Sequence, residues 1–334
     1  MKKHVIGLDI GGTKCAVILG DACNKNNVAI LDRIEFETRA KLGLEQALEN
    51  ILKHFDIMME KHGIISENVI SIGISCGGPL DSKKGVILSP PNLYGWGNVP
   101  IVEIFEKKYN IKTYIENDAN ACALAEWHFG AARRYENAIF LTFGTGMGAG
   151  LILNGKLYSG ANGMAGEVGH IRMTETGPVG YGKAGSFEGY CSGGGIAQIA
   201  KTKVLEQLQV GKKPNICQDF SEIDNLTAKS VAIAASKGDD LAIEIYNTCA
   251  YYLGRGLSIL IDILNPDVIV IGSVYARSEH LLINEMEKVI AQESIAFSRE
   301  CCKIIPAELG DKIGDYAAIS VAMENAKEKI GVEL

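Results

Sequence analysis

Apolar residues in this chain fall into short runs separated by amphipathic stretches. Val5 to Ile10 and Cys15 to Leu19 are two such runs, which predicts two strands joined by a glycine-rich turn. Val28 to Glu37 predicts a third strand. Between Leu44 and Lys61 the apolar positions are Leu44, Leu48, Ile51, Leu52, Phe55 and Met59, a helical spacing with one buried face. Val69 to Ser75 predicts a strand entering a Gly-Gly-Pro turn. Ile111 to Ile115 predicts another, ending at Glu116-Asn117-Asp118 before an Ala-rich helix over Ala119 to Phe129. Ile139 to Phe143 and Ala149 to Leu153 form a second strand pair around glycines. Asp239 to Leu264 predicts a long helix, eased at Gly254 and Gly256. Val268 to Ile271 predicts a strand entering Gly272-Ser273, and Tyr316 to Lys329 a closing helix. Strands and helices interleave, which implies an α/β class.

One internal echo shapes the fold expectation. Val5 to Gly20 reads VIGLDIGGTKCAVILG, and Ile139 to Gly155 reads IFLTFGTGMGAGLILNG. Setting Asp9 against Thr142 puts Gly11 on Gly144. Two strand–glycine turn–strand hairpins about a domain length apart suggest two similar halves. Turns of this kind present N–H groups unblocked by side chains, and two facing one another would cradle a polyphosphate between lobes. From the pattern alone, two ordinary glycine-turn hairpins read equally well.

A length of 334 residues fits two domains. Hydrophobic residues at 47% and charged residues at 22% exclude disorder. The 38 glycines are an excess, and 13 of them lie between Gly155 and Gly195. A net charge of −7, with no block of five or more Lys or Arg, disfavours nucleic acid and anionic membranes as partners. No apolar run approaches the ~18 residues of a membrane span. Nine scattered cysteines without a C-x-x-C fit a reduced cytoplasmic setting rather than a disulfide framework. Met-Lys-Lys-His leads directly into a strand, and Val5 to Leu8 is too short for the core of a signal peptide.

Familiar phosphate motifs are absent: there is no G-x-x-x-x-G-K-S/T, and the alternating Gly144, Gly146, Gly148 and Gly150 do not spell G-x-G-x-x-G. Gly73-Ile74-Ser75-Cys76-Gly77 does match the nucleophile elbow of serine hydrolases, with His170 and His280 further on. The Gly77-Gly78-Pro79 that follows makes the required strand-to-helix turn awkward. Asp9 precedes Gly11-Gly12-Thr13-Lys14. It reads either as a turn residue bonding its own backbone or as a carboxylate holding Mg2+ through water beside phosphate. Asp118 reads as a helix N-cap or as a general base accepting a hydroxyl proton. Asn117 and Asn120 are alternative caps. Glu167 and His170, three apart, would diverge on a strand and converge on a turn. With Glu188 they suit a polyhydroxylated ligand, since each bonds hydroxyls.

Together these residues resemble the ROK (repressor, open reading frame, kinase) sugar kinases, of the actin-like, hexokinase-type ATPase fold, which is ribonuclease H-like with two similar lobes around a cleft. LDIGGTK (Leu8 to Lys14) resembles the family's first phosphate loop. ENDANACALAE (Glu116 to Glu126) resembles its catalytic segment, LTFGTGMGAGLILNG (Leu141 to Gly155) its second phosphate loop, and GMAGEVGHIRM (Gly163 to Met173) its signature. The resemblance implies Asp118 as catalytic base, with Gly78, Asn92, Asn117, Glu167, His170 and Glu188 on the sugar. It implies Asp9, Gly11, Gly12, Thr13, Lys14, Gly144, Thr145 and Gly146 on Mg2+-ATP, and Gly272, Ser273 and Gly314 along the adenosine. A small lobe of 1–118 plus about 315–334 and a large lobe of 119–314 are expected, as is a homodimer. The implied reaction is phosphorylation of a hexose, glucose or a close relative, at the C6 hydroxyl.

Two departures matter. Many members bind zinc through the signature His and three cysteines in C-x-C-G-x-x-G-C-x-E. Registering on Glu188, Val179, Tyr181 and Ser186 replace those cysteines here, so no structural zinc is expected. Packing of Tyr181 and Phe187 is the expected substitute for ordering this loop. Repressor members carry a DNA-binding domain before the phosphate loop, and here that loop begins within ten residues of the start. A sugar-sensing regulator with weak or no kinase activity is the alternative, and an actin-like structural ATPase a third reading.

Overall fold

β1 (His4–Ile10) and β2 (Lys14–Asp21) pair as an antiparallel hairpin, from His4 against Asp21 to Ile10 against Cys15. Both are covered on two faces, which is why they read as near-continuous apolar runs. The computed structural model describes residues 4–22 and 28–325. β3 (Ala29–Glu37) joins β2 antiparallel, and β4 (Val69–Cys76) joins β1 parallel. Strand Thr113–Asn117 completes the sheet, parallel to β4.

Each face of this sheet buries a different set of helices. Ile6, Leu8 and Ile10 pack with α1 (Leu44–Lys61) and α2 (Ile101–Tyr109). The apolar stripe of α1 is as expected, although Ala47, Ile51, Phe55 and Met58 bury deepest. Val5, Ala16 and Ile18 meet the closing helix, Ile313–Glu324, at Ala318, Ile319 and Ala322. That helix lies directly on the strands. A Cβ at Gly73 would stand 2.2 Å from the Ala322 nitrogen, and one at Gly7 would stand 2.9 Å from the Ala318 Cβ. The expected helix to Lys329 ends at Glu324; its residues 326–329, and the expected lobe residues 326–334, lie outside the described residues.

A second sheet repeats the plan. Ala138–Phe143 and Met147–Leu153 make an antiparallel hairpin, with Lys156–Leu157 at the edge. Val268–Ile271 runs parallel to Ala138–Phe143, and Lys303–Pro306 parallel to Val268–Ile271. Both sheets are therefore a hairpin followed by two parallel strands, so the sequence echo marks a repeated structure.

Backbone contacts group the chain into two units. One runs to Arg133 and takes in Leu157–Ala165 and the chain from Asp311; the other is Arg134–Lys156 with Gly166–Gly310. The boundary expected at 118 falls later because α3 (Asp118–Phe129) packs on the closing helix. Helix Asp240–Leu264 runs unbroken through Gly254 and Gly256. Those glycines permit close approach instead of easing the helix: a Cβ at Gly256 would meet the Phe187 ring at 2.3 Å. Among the described residues no helix is long and apolar enough to cross a membrane.

Candidate active site

In the first unit, three residues join β1 to β2. The Gly11 N–H donates to the Lys14 carbonyl at 3.0 Å. The Thr38 hydroxyl donates to the Gly11 carbonyl at 2.6 Å, and its N–H donates to the Thr13 carbonyl at 2.9 Å. The turn is thus clamped through its carbonyls. The N–H groups of Gly12 and Thr13 have no partner among the described residues, which is the arrangement that binds anions. Glycine is required at position 12, because a Cβ there would lie 2.7 Å from Asn92. Asn92, expected on the sugar, packs against this turn through its Cβ and its carbonyl oxygen. The Lys14 ammonium pairs with Glu35 on β3, so only its backbone belongs to the turn.

Two carboxylates flank this turn. Asp9 lies in register with Ser75 on β4, which in turn pairs with Glu116. Burial pushes the Asp9 carboxyl up to about 6; the charges of Asp118 and Asp315 add to this and Arg33 opposes it. Arg33 donates to Asp315 at 2.7 Å. A Cβ at Gly314 would stand 2.9 Å from an Asp9 carboxylate oxygen, so Gly314 accompanies Asp9 in the first unit, whereas Gly272 and Ser273 belong to the second.

The capping question at α3 resolves in favour of Asn117, whose Oδ1 accepts the Ala119 N–H at 3.0 Å. Asp118 is then the first helical residue. Its Oδ1 accepts the same N–H at 2.8 Å, and its Oδ2 lies 3.8 Å from the Cβ position of Gly77. The Asn117 amide nitrogen lies 3.1 Å from the Cβ position of Gly78. Asp118 is open to solvent, yet burial raises its carboxyl above the usual carboxylate range. A group in a concave setting is both reachable and poorly hydrated, so the two facts agree.

Sequence reasoning passed over Glu116. Its Oε1 accepts the Asn117 N–H at 2.9 Å and the Asn120 amide at 3.0 Å, bracing the strand end that carries Asn117 and Asp118. The i,i+4 spacing of Glu116 and Asn120 across the start of a helix was the available signal. Ser75 is a buried strand residue between Asp9 and Glu116, not a residue on an exposed elbow, and the hydrolase reading ends there.

In the second unit the equivalent turn is Gly144-Thr145-Gly146. The Gly144 N–H donates to the Gly146 carbonyl at 3.1 Å, and the N–H groups of Thr145 and Gly146 have no partner among the described residues. Ser273, at a φ of 54°, lies beside it, 3.7 Å from the Cβ position of Gly144. The Gly272 N–H donates to the Leu141 carbonyl at 3.0 Å. Glu188 comes to the same turn, its Oε2 accepting the Met147 N–H at 3.0 Å. Glu167 caps, and His170 ends, a single 3-10 turn, Val168–His170, rather than a strand, and both are exposed.

The residues standing where the family has cysteines each serve the backbone. Val179 pairs with Ala184 in a small hairpin, Tyr181 makes its turn, and the Ser186 hydroxyl accepts the Gly189 N–H at 3.1 Å to cap Phe187–Tyr190. Gln198 clasps the hairpin, accepting from the Val179 N–H at 2.9 Å and donating to its carbonyl at 2.8 Å. Phe187 is fully buried, as expected; Tyr181 is 75% exposed and meets the His170 ring edge-on, with centroids 6.4 Å apart. Among the described residues no three His, Cys, Asp or Glu side chains gather as a metal cage.

With this geometry in view, comparison with known proteins is decisive. The ROK family profile matches residues 5–325. The chain belongs to the ROK family. Over 328 residues this ROK protein is 30% identical to the glucokinase of Halalkalibacterium halodurans, covering 97% of each chain. It is 29% identical over 326 residues to the N-acetylglucosamine repressor of Shigella flexneri, covering 96% of this chain and 76% of that one. Among solved structures, it superposes on a ROK family glucokinase from Streptomyces griseus, in complex with glucose and AMPPNP. The TM-score is 0.74 at 28% identity, covering 96% of this chain and 99% of that one. The fold is accordingly the actin-like, hexokinase-type one, with its two related α/β halves.

Proposed function

We propose that this ROK protein phosphorylates a hexose with ATP, at the C6 hydroxyl of glucose or a close relative. The observation that carries the proposal is the division of labour at α3: Asn117 caps the helix and leaves Asp118 Oδ2 directed at the Gly77 side, in a setting that raises its basicity.

The residues fit Mg2+-ATP. Two pairs of unpartnered N–H groups, at Gly12-Thr13 and Thr145-Gly146, suit phosphate oxygens, and the single carboxylate of Asp9 suits a magnesium that keeps its water shell. When bound, Mg2+-ATP supplies the γ-phosphoryl group. The chain's own part is positioning and proton transfer. Asn92, Asn117, Glu167, His170 and Glu188 orient the sugar through its hydroxyls. Asp118 takes the C6 hydroxyl proton as that oxygen bonds to the γ-phosphorus and the bond to the bridging oxygen of ADP breaks. Ser273 lines the adenosine side of the second turn. The sugar loop is held by Gln198, Ser186 and Phe187 without zinc. The protein acts in the cytoplasm as a homodimer, and light scattering checks the oligomeric state.

A coupled ADP-release assay over about fifteen hexoses tests the activity. Sugar-dependent turnover supports it. The similarity to an N-acetylglucosamine repressor favours one second reading, a sugar sensor of little or no catalytic activity. Saturable sugar binding without ADP release on any hexose selects that reading.

A further inference from the structure

Glu188 joins two parts of the second unit that have separate tasks in the function proposed above. It stands on the short helix Phe187–Tyr190 in the sugar loop, yet its Oε2 accepts the Met147 N–H, the first amide after the second glycine turn. The fit is tight. A Cβ at Gly146 would lie 2.7 Å from that same Oε2 and 3.9 Å from Oε1. The backbone of Met147 is confined at its carbonyl as well: a Cβ at Gly169, next to His170, would lie 2.2 Å from the Met147 carbonyl oxygen and 3.3 Å from the Glu188 Cβ. The turn, the Glu167–His170 segment and the Glu188 carboxylate therefore meet at one residue, Met147, with glycines permitting contact closer than any side chain would.

From this we infer that Glu188 couples the two substrates: its carboxylate ties sugar contact to the position of the Gly146-Met147 peptide, making Gly146 a determinant of sugar affinity although it belongs to the phosphate turn. The inference rests on the proposed kinase reading. Oε1 is the edge of the carboxylate that does not hold Met147, and a sugar hydroxyl donating there fixes the orientation of the whole group. Fixing it fixes the Met147 N–H, and with it the neighbouring unpartnered N–H of Gly146. Because binding linkage is reciprocal, a nucleotide phosphate on the turn strengthens sugar binding by the same factor.

Gly146→Ala tests this. Gly146 does not take a positive φ, so alanine suits the backbone, and its methyl group displaces the flexible end of Glu188. Sugar affinity is measured by calorimetry without nucleotide, alongside hydrogen exchange of the peptide spanning 144–150 in the wild type. The expected result is a dissociation constant for sugar raised about tenfold or more in the variant. Sugar alone should slow exchange at Met147 in the wild type. An unchanged dissociation constant in a folded Gly146→Ala protein overturns the coupling, as does wild-type exchange at Met147 that ignores bound sugar. Wild-type protein that binds none of the hexoses overturns the kinase reading and the coupling together, and is recognised by the absence of heat before any variant is made.

Discussion

Replacing Asp118 by asparagine separates its chemistry from its place in the fold. The amide has the same shape, and its Oδ1 accepts the Ala119 N–H as the carboxylate does at 2.8 Å. Asn117 still caps α3, so no helical N–H loses its partner. The change falls on Oδ2, where a proton acceptor becomes an NH2 donor facing Gly77. General-base catalysis contributes roughly a hundredfold to ten-thousandfold, or about 2.7 to 5.4 kcal/mol of transition-state stabilisation. The expected outcome is a kcat lower by that factor with the sugar KM within a few-fold of wild type. Thermal unfolding should be unchanged or later, since a carboxylate disfavoured by burial has been removed. ADP release coupled to a dehydrogenase reads kcat and KM, and differential scanning fluorimetry reads the fold. Turnover within about threefold of wild type would refute the role as base. A raised KM with unchanged kcat would make Asp118 a sugar-binding residue only.

Burial raises the Asp118 carboxyl, so it takes up a proton earlier as pH falls, and the acid limb of kcat/KM should lie above the ordinary carboxylate range of about 4; a flat profile to pH 4 with folded protein would contradict this. Gly73→Ala should cost about 3 kcal/mol in urea unfolding, because its Cβ lies 2.2 Å from the Ala322 nitrogen and 2.3 Å from the Ala318 carbonyl oxygen, both backbone atoms that cannot rotate away; a change below about 1 kcal/mol would show that the closing helix shifts freely. Elemental analysis should find far less than one zinc per chain, and EDTA should leave the melting temperature in place; one bound zinc per chain would show that other ligands have been recruited.

The fold was legible where pattern and period coincide. The β1–β2 hairpin, the stripe of α1 and the echo at Gly144 all follow from apolar runs and glycine placement. The site was legible as residue types on turns. Which atom serves which partner was not: Asn117 rather than Asp118 caps α3, Lys14 turns to Glu35, and Gly314 lies at Asp9, all outcomes of tertiary contact. The glycines of Asp240–Leu264 misled because close packing and flexibility leave the same letter in a sequence. Gln198 could not be foreseen as the clasp of the sugar loop, since its partner is a backbone amide 19 residues away.

The helix Ile313–Glu324 has a bearing on biosynthesis. It covers the centre of one face of the first sheet, at Val5, Ala16, Ile18 and Ile70. A ribosome adding roughly 5 to 20 residues per second needs about 15 to 60 s to travel from β1 to that helix. By the end of that interval the earliest strands still lack this cover, while the second unit has every strand of its own sheet. The half begun first is thus the half finished last, and it is where a nascent chain most needs shielding by a chaperone.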